Sequence, residues 1–423
     1  MPAYDVERIR AQFPALQGHD GSAPIFLDNP GGTQVPRVVV EAMSESLLGA
    51  NANVGGAFRT SRAVDETVAE AHRAMAAFLN AAGPGEVIFG QNMTTLTLHI
   101  SRSIGRTLSP GDEIIVSRMD HDANVAPWQL LARDHDLVIK YLPFELEEYE
   151  FDPMTLDGLL TERTRLLCIG QASNLTGTIN DVRAMAEKAH AAGALVYVDS
   201  VQYAPHGTID VQALGCDFLV CSPYKFYGPH MGVLWGRRDL LTKLEPYKVR
   251  PAGDGLPNRF ETGTMNHEGM AGVTATVGYF EWIGRELVDD SYRIRHQGFE
   301  PRRRHLRAAM DAIVDYEAPI TRRLIDGLSA IRGVKIHGIT NPNAMGRRVP
   351  TVSFTAEGHR PRAIAEVLAE QEIYVWDGHN YALEPVRALG LLESGGVLRI
   401  GLGHYNTMPE VERTLGALEA CLT

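Results

Sequence analysis

One lysine stands where the chain could put it to work. Cys216-Asp217-Phe218-Leu219-Val220-Cys221-Ser222-Pro223-Tyr224-Lys225-Phe226-Tyr227-Gly228-Pro229 reads as a short buried strand, Phe218 to Cys221, running into a polar turn that presents Lys225. Turns at strand ends hold working side chains firmly while leaving them accessible. There an ε-amino group either stays a solvated ammonium or loses its proton and attacks a carbonyl carbon. Asp199 ends an apolar run, Ala194 to Val198. A carboxylate in that position is poorly solvated and wants a positive partner, or else it caps a helix starting at Ser200. Phe89-Gly90-Gln91-Asn92-Met93-Thr94-Thr95 passes from strand to helix. Its free N–H groups and helix dipole suit an anion, or Thr94 is a plain N-cap. His121 lies between Asp120 and Asp122. Its imidazole can relay protons or sit idle on the surface. Three adjacent residues cannot all point at one ion, so a metal site is not expected. Arg399 interrupts the apolar run Leu398 to Ile400, where its planar fork suits a carboxylate or a surface ion pair.

These groups need a scaffold. Short apolar runs rich in β-branched residues recur at Val87-Phe89, Glu113-Val116, Leu137-Leu142, Leu166-Ile169, Leu195-Val198, Phe218-Cys221 and Gly232-Trp235. Helical patterns separate most of them, as at Asp181 to Ala192, and another spans Val64 to Leu79. Such alternation predicts an α/β layer with a mainly parallel sheet, buried on both faces. Residues 289–332 read as mostly helical. Val334-His337, Thr351-Phe354, Ile373-Val375 and Val397-Ile400 read as strands around helices Arg360-Gln371 and Glu410-Ala420. The predicted division is a large domain over 20–290 and a smaller α+β domain from 1–19 and 291–423, the first of these containing a short amphipathic helix.

At 423 residues the chain can bury an ample core. Its net charge of −12 argues against a nucleic-acid or anionic-membrane partner. Arg302-Arg303-Arg304 is the local exception and reads as a solvated helical face. Four cysteines without a CxxC pair do not make a disulfide framework, and no run of 18 apolar residues or N-terminal leader is seen, so a reducing cytoplasm is expected.

Together these stretches resemble the class V aminotransferase family of pyridoxal-phosphate (PLP) enzymes, and most of all its cysteine desulfurase and selenocysteine lyase branch. The likeness runs from Phe26-Leu27-Asp28 to Tyr405-Asn406-Thr407. Ser222 to Pro229 matches Ser-x-His-Lys-x-Tyr-Gly-Pro, with Tyr224 in place of His. Met119 to Trp128 is similar to Glu-His-His-Ala-Asn-x-x-Pro-Trp, and Ser173 to Gly177 to Ser-Asn-x-x-Gly. The resemblance implies a PLP-dependent transferase fold of fold type I, with Lys225 as the Schiff-base lysine. It implies Asp199 at the pyridine nitrogen, Gln202 and Asn174 at the phenolic oxygen, and His121 against the ring. Met93, Thr94, Ser222 and Tyr224 would hold the phosphate. Phe260 to Asn266 matches Glu-x-Gly-Thr-x-Asn, which places Thr264 at the partner subunit's phosphate and implies a homodimer. Arg399, in Leu398 to Thr407, would grip the substrate α-carboxylate. Asn29, in Pro24 to Gln34, falls in a segment that lines the substrate side in relatives or forms a plain turn.

The departure is at Trp376-Asp377-Gly378-His379-Asn380-Tyr381-Ala382, where desulfurases carry Arg-x-Gly-His-x-Cys-Ala. Tyr381 replaces the persulfide cysteine and Trp376 the arginine. The expectation is therefore a PLP lyase that eliminates at the β carbon of a cysteine-like amino acid. An aminotransferase or epimerase is the alternative, and a non-catalytic PLP-binding partner a third.

Overall fold

The computed structural model of the protein describes residues 4–18 and 23–422. Its larger sheet has seven strands: β1 (Val87–Gly90), β2 (Glu113–Ser117), β3 (Val138–Leu142), β4 (Thr164–Gly170), β5 (Leu195–Asp199), β6 (Phe218–Cys221) and β7 (Gly232–Gly236). They lie in the order β1-β7-β6-β5-β4-β2-β3. Only β7 breaks the parallel pattern, running against both β6 and β1. Each of the seven apolar runs in the sequence is one of these strands.

The period of two decides which core each residue joins. Ile115, Leu167, Ile169, Val196, Val198, Leu219 and Cys221 face one hydrophobic cluster, with Met75, Met185 and Phe280. Ile114, Val116, Leu166, Cys168, Tyr197, Phe218 and Val220 face another, with Ile100 and Trp128. Both faces are covered, as the continuous apolar runs require. The parallel strands then deliver the loops after β2, β4, β5 and β6 to one edge of the sheet.

A second, antiparallel sheet holds β8 (Val334–His337), β9 (Thr351–Ala356), β10 (Trp376–Gly378) and β11 (Val397–Gly401) in the order β10-β11-β9-β8. The helix Pro301–Ala330 ties the two parts together. Leu306 and Ile313 pack in the larger core, and Ile320 to Leu328 in the smaller one.

The structure corrects several expectations. The strand expected at Ile373–Val375 ends at Tyr374: Ile373–Tyr374 pairs in parallel with Ile25–Phe26, and a further strand, Trp376–Gly378, pairs with β11. The chain changes partner at Val375. Ile9, Phe13 and Leu16 pack in the large core, while Ile25 and Leu27 pack in the small one, the reverse of the expected assignment. A short apolar face carries no mark of the surface that will cover it. The expected boundary at 19/20 lies outside the described residues. Arg303 is buried rather than solvated, donating to the carbonyls of Phe78 at 2.5 Å and Ile209 at 2.7 Å. It thereby satisfies the last turn of the helix Arg59–Leu79. The helix Arg37–Ala50, not anticipated from the sequence, exposes Val40, Leu47 and Leu48. No helix among the described residues is long and apolar enough to cross a membrane.

Candidate active site

The strand-end loops and the small sheet enclose a cavity of about 830 Å³. Lys225, His121, Asp199, Met93, Thr94, Asn174, Gln202, Ser222, Tyr224, Arg399 and Tyr381 all line it. A more open groove of about 880 Å³ between Glu86, Cys216 and Lys243 gathers no comparable set.

Lys225 ends the short turn Pro223–Lys225 that follows β6. The buried rings of Phe226 and Tyr227 anchor that turn from behind. Tyr227 sits at φ 69°, held by its N–H donating to Thr33 Oγ1 at 2.8 Å. The Lys225 Nζ donates to the carbonyls of Pro30 at 2.5 Å and Gly31 at 3.0 Å. Burial, and then the Arg399 charge, bring its pKa down to about 7, against the pull of Asp199 and Asp28. A lysine so placed is largely free base just above neutrality.

Asp199 closes β5 and accepts the Val201 N–H at 2.9 Å on one oxygen. Burial raises its pKa to about 6, with that hydrogen bond and Lys225 opposing. His121 Nδ1 accepts the Ala123 N–H at 3.0 Å, which leaves the proton of a neutral ring on Nε2. Burial, with Lys225 and Arg399 nearby, lowers its pKa to about 3, so the ring is uncharged.

Behind His121 lies Asp120, which in the sequence stands out only as a neighbour of His121. It accepts from Ser117 Oγ at 2.6 Å, Asn124 Nδ2 at 2.6 Å and the Gly170 N–H at 2.9 Å. Burial raises it to about 7. Its oxygens are committed to the protein, so it fixes the loop rather than binding an ion. The spacing from Ser117 was the available signal. Among the described residues, no group of three or more His, Cys, Asp or Glu could hold a metal.

The helix Met93–Gly105 points its N-terminus at the cavity. Its cap is Asn92, not Thr94: Asn92 Oδ1 accepts the Thr95 N–H at 2.9 Å. Met93 N–H donates to Ser222 Oγ at 3.1 Å, coupling this turn to the lysine turn. Gly232 permits the closeness, because a Cβ there would lie 2.3 Å from the Asn92 carbonyl carbon. Thr94, at the second helical position, lines the cavity, and its N–H is one of those the helix itself leaves unpaired. Tyr224 stacks on His230, centroids 5.1 Å apart.

On the opposite wall, Arg399 projects from β11. Its Nη1 donates to the Asn174 carbonyl at 2.9 Å, while its buried Nε has no partner. Burial lowers its pKa to about 10, with Asp28 opposing, so it stays charged. Asn174 Nδ2 donates to the Asn380 carbonyl at 2.8 Å, and its Oδ1 is buried without a partner. Gln202 Nε2 donates to Thr351 Oγ1 at 2.9 Å. At the mouth, Tyr381 stacks on His121 with centroids 5.5 Å apart and an 11° tilt.

One expected residue is elsewhere. Asn29 does not line the cavity. Its Nδ2 donates to the Gly401 carbonyl at 2.8 Å and to Asn406 Oδ1 at 3.1 Å, and its Oδ1 accepts from Tyr405. It pins the entry segment to the small sheet, and its neighbours Pro30 and Gly31 take the lining place. Thr264 is exposed and outside the cavity of its own chain.

The chain is similar throughout its length to proteins of one family. Residues 25–300 and 298–414 match the family described as aminotransferase class-V. The chain is 33% identical to the "Aminotransferase-like protein FGM3" of Gibberella zeae, over 99% of both chains. It is 32% identical to a cysteine desulfurase of Pectobacterium atrosepticum, over 99% of this chain and 98% of the other. The apo structure of a cysteine desulfurase from Thermococcus onnurineus superposes with a TM-score of 0.86, at 27% identity and 98% coverage of each chain. The Escherichia coli cysteine desulfurase CsdA gives 0.82 at 27% identity, covering 99% of this chain and 98% of the other.

Proposed function

Since the chain belongs to the class V aminotransferase family, and is a PLP-dependent enzyme of fold type I, we propose that it breaks a carbon–sulfur bond in a cysteine-like amino acid by β-elimination, without lodging the sulfur on a cysteine of its own. One observation carries this reading. Tyr381 occupies the cavity mouth, stacked on His121, and none of the four cysteines lines the cavity. Cys168, Cys216 and Cys221 are buried, and burial pushes their thiols far above the usual range. A buried, protonated thiol is a poor sulfur acceptor.

The residues fit the cofactor. The cavity joins an amine of lowered pKa, a strand-end carboxylate, a neutral imidazole and a helix N-terminus, and the buried Asn174 Oδ1 lacks a polar partner. Bound there, PLP supplies an aldehyde for amines and a ring that accepts electron density from the substrate Cα. Lys225 would hold the aldehyde, and its amine would be the base for the substrate Cα proton. Asp199 would keep a proton on the ring nitrogen. The Thr94 N–H, Ser222 Oγ and the helix dipole would hold the phosphate. Arg399 Nε and Nη2 form a fork for the substrate carboxylate.

We propose further that the protein works in the cytoplasm as a homodimer. Thr264 is exposed and free to reach a second copy, and the apolar face with Leu48, 89% exposed, calls for cover.

The test is to incubate the holoenzyme with cysteine and S-substituted cysteines. Pyruvate, ammonium and free sulfide or thiol are expected in equal amounts. A protein cysteine that gains one sulfur atom at the catalytic rate, by mass spectrometry, would overturn the proposal. An aminotransferase or epimerase is the second reading, favoured by the relative named aminotransferase-like. It requires a keto acid that keeps the whole side chain, or inversion at Cα, in place of pyruvate.

A further inference from the structure

We propose that Trp376 is the platform for the substrate side chain, and that the substrate is an S-substituted cysteine whose sulfur carries a bulky apolar or aromatic group. The reaction named here rests on the carbon–sulfur lyase reading above; the platform does not.

Trp376 and Arg399 are register partners across β10 and β11, so their side chains leave the same face of the sheet. Gly31 shows how near they come: a Cβ there would lie 3.7 Å from Trp376 Cε3 and 3.9 Å from Arg399 Nη2. Indole and guanidinium thus flank one point of the cavity wall. In an α-amino acid the carboxylate and side chain share one carbon. Seating the carboxylate on Arg399 carries the side chain to the indole.

The indole lines the cavity yet is 51% exposed, and Leu130 and Tyr381 beside the same opening are also exposed. A large apolar side chain left uncovered in a concave site gains by being covered. A bare thiol or methyl group is too small to cover an indole face. A benzyl-sized group can lie against it.

The chemistry balances without an outside oxidant or reductant. Lys225 removes the Cα proton, the Cβ–S bond breaks with its electron pair going to sulfur, and the departing thiolate takes up a proton. One water then completes the release of pyruvate and ammonium. Substrate and water together account for thiol, pyruvate and ammonium.

The test separates binding from turnover. Calorimetry on the holoenzyme with 3-(benzylthio)propanoate and 3-(methylthio)propanoate reads the platform alone, because neither has an amine. The benzyl compound should bind about tenfold tighter or more. Trp376→Ala should bring that ratio to within about twofold of one, and Trp376→Phe should keep most of it. The ratio of kcat/KM for S-benzylcysteine over S-methylcysteine should follow the same order. Equal binding of the two acids, or a preference that survives Trp376→Ala, overturns the proposal. A benzyl preference in calorimetry with no pyruvate from either cysteine supports the platform and sinks the lyase reading.

Discussion

At the floor of the cavity, Asp199 and the Lys225 turn leave the ends of buried strands, and Asp120 ties down the loop that carries His121. At the mouth, Trp376 and Tyr381 stand 51% and 69% exposed, on a segment where Gly378, Asn380 and Tyr381 all take positive φ. Burial at the floor moves Lys225 to about 7 and His121 to about 3, which makes one a usable base and the other a neutral ring. The mouth has no such constraint. A side chain there can change without leaving a buried polar group unpaired, so the fold can keep its chemistry while changing what it accepts.

That contrast predicts a gradient of effects. Lys225→Ala, at the floor, should lower turnover by several orders of magnitude and abolish borohydride trapping of cofactor on the protein. Retained trapping at full occupancy would remove Lys225 from its role. Asp199→Asn keeps the shape and removes the charge. Losing a buried charged hydrogen bond of about 3 kcal/mol should lower kcat about 100-fold or more, with cofactor still bound. A near-normal rate would break the comparison at its floor. Tyr381→Phe, at the mouth, should change kcat/KM only a few fold, since its hydroxyl has little to desolvate at an exposed position. A loss as large as that of Asp199→Asn would make Tyr381 an acid for the leaving group and erase the distinction.

The floor was legible in the sequence because its chemistry is contiguous. The lysine turn, the strand ending at Asp199 and the helix start at Met93 each span fewer than a dozen neighbouring residues, and local pattern carries them. Residues whose partners are remote in sequence were misread. Asn29 is spent on Gly401, Asn406 and Tyr405, near the far end of the chain. Arg303 caps carbonyls at Phe78 and Ile209 that only the fold brings to it. Asp120 gains its weight from the Gly170 N–H across the sheet. The split at Val375 depends on two different pairing partners, Ile25–Phe26 and β11, which no local period could reveal.

The smallest effect tests what sets the lysine's pKa. Burial is the main cause of its fall to about 7; Arg399 adds to it, and Asp199 and Asp28 oppose it. Only the free amine attacks an aldehyde, so the rate at which apo-protein takes up PLP should rise with pH through about 7 and then level off. A midpoint near the ordinary lysine value would mean that the amine is solvated. The phosphate of the cofactor titrates near 6, as does Asp199, so one wild-type curve does not isolate the lysine. Two substitutions with opposite signs do. Arg399→Gln removes a positive neighbour, which makes protonation of Lys225 easier and moves the midpoint up. Asp28→Asn removes a negative neighbour, which makes protonation harder and moves it down. The cofactor's own titration is the same in both, so any divergence belongs to Lys225. Trp376→Phe, at the mouth, changes no charge and should leave the midpoint where it is. If the two charge variants move the midpoint in the same direction, or Trp376→Phe moves it as far, then the electrostatics of the floor do not set this pKa.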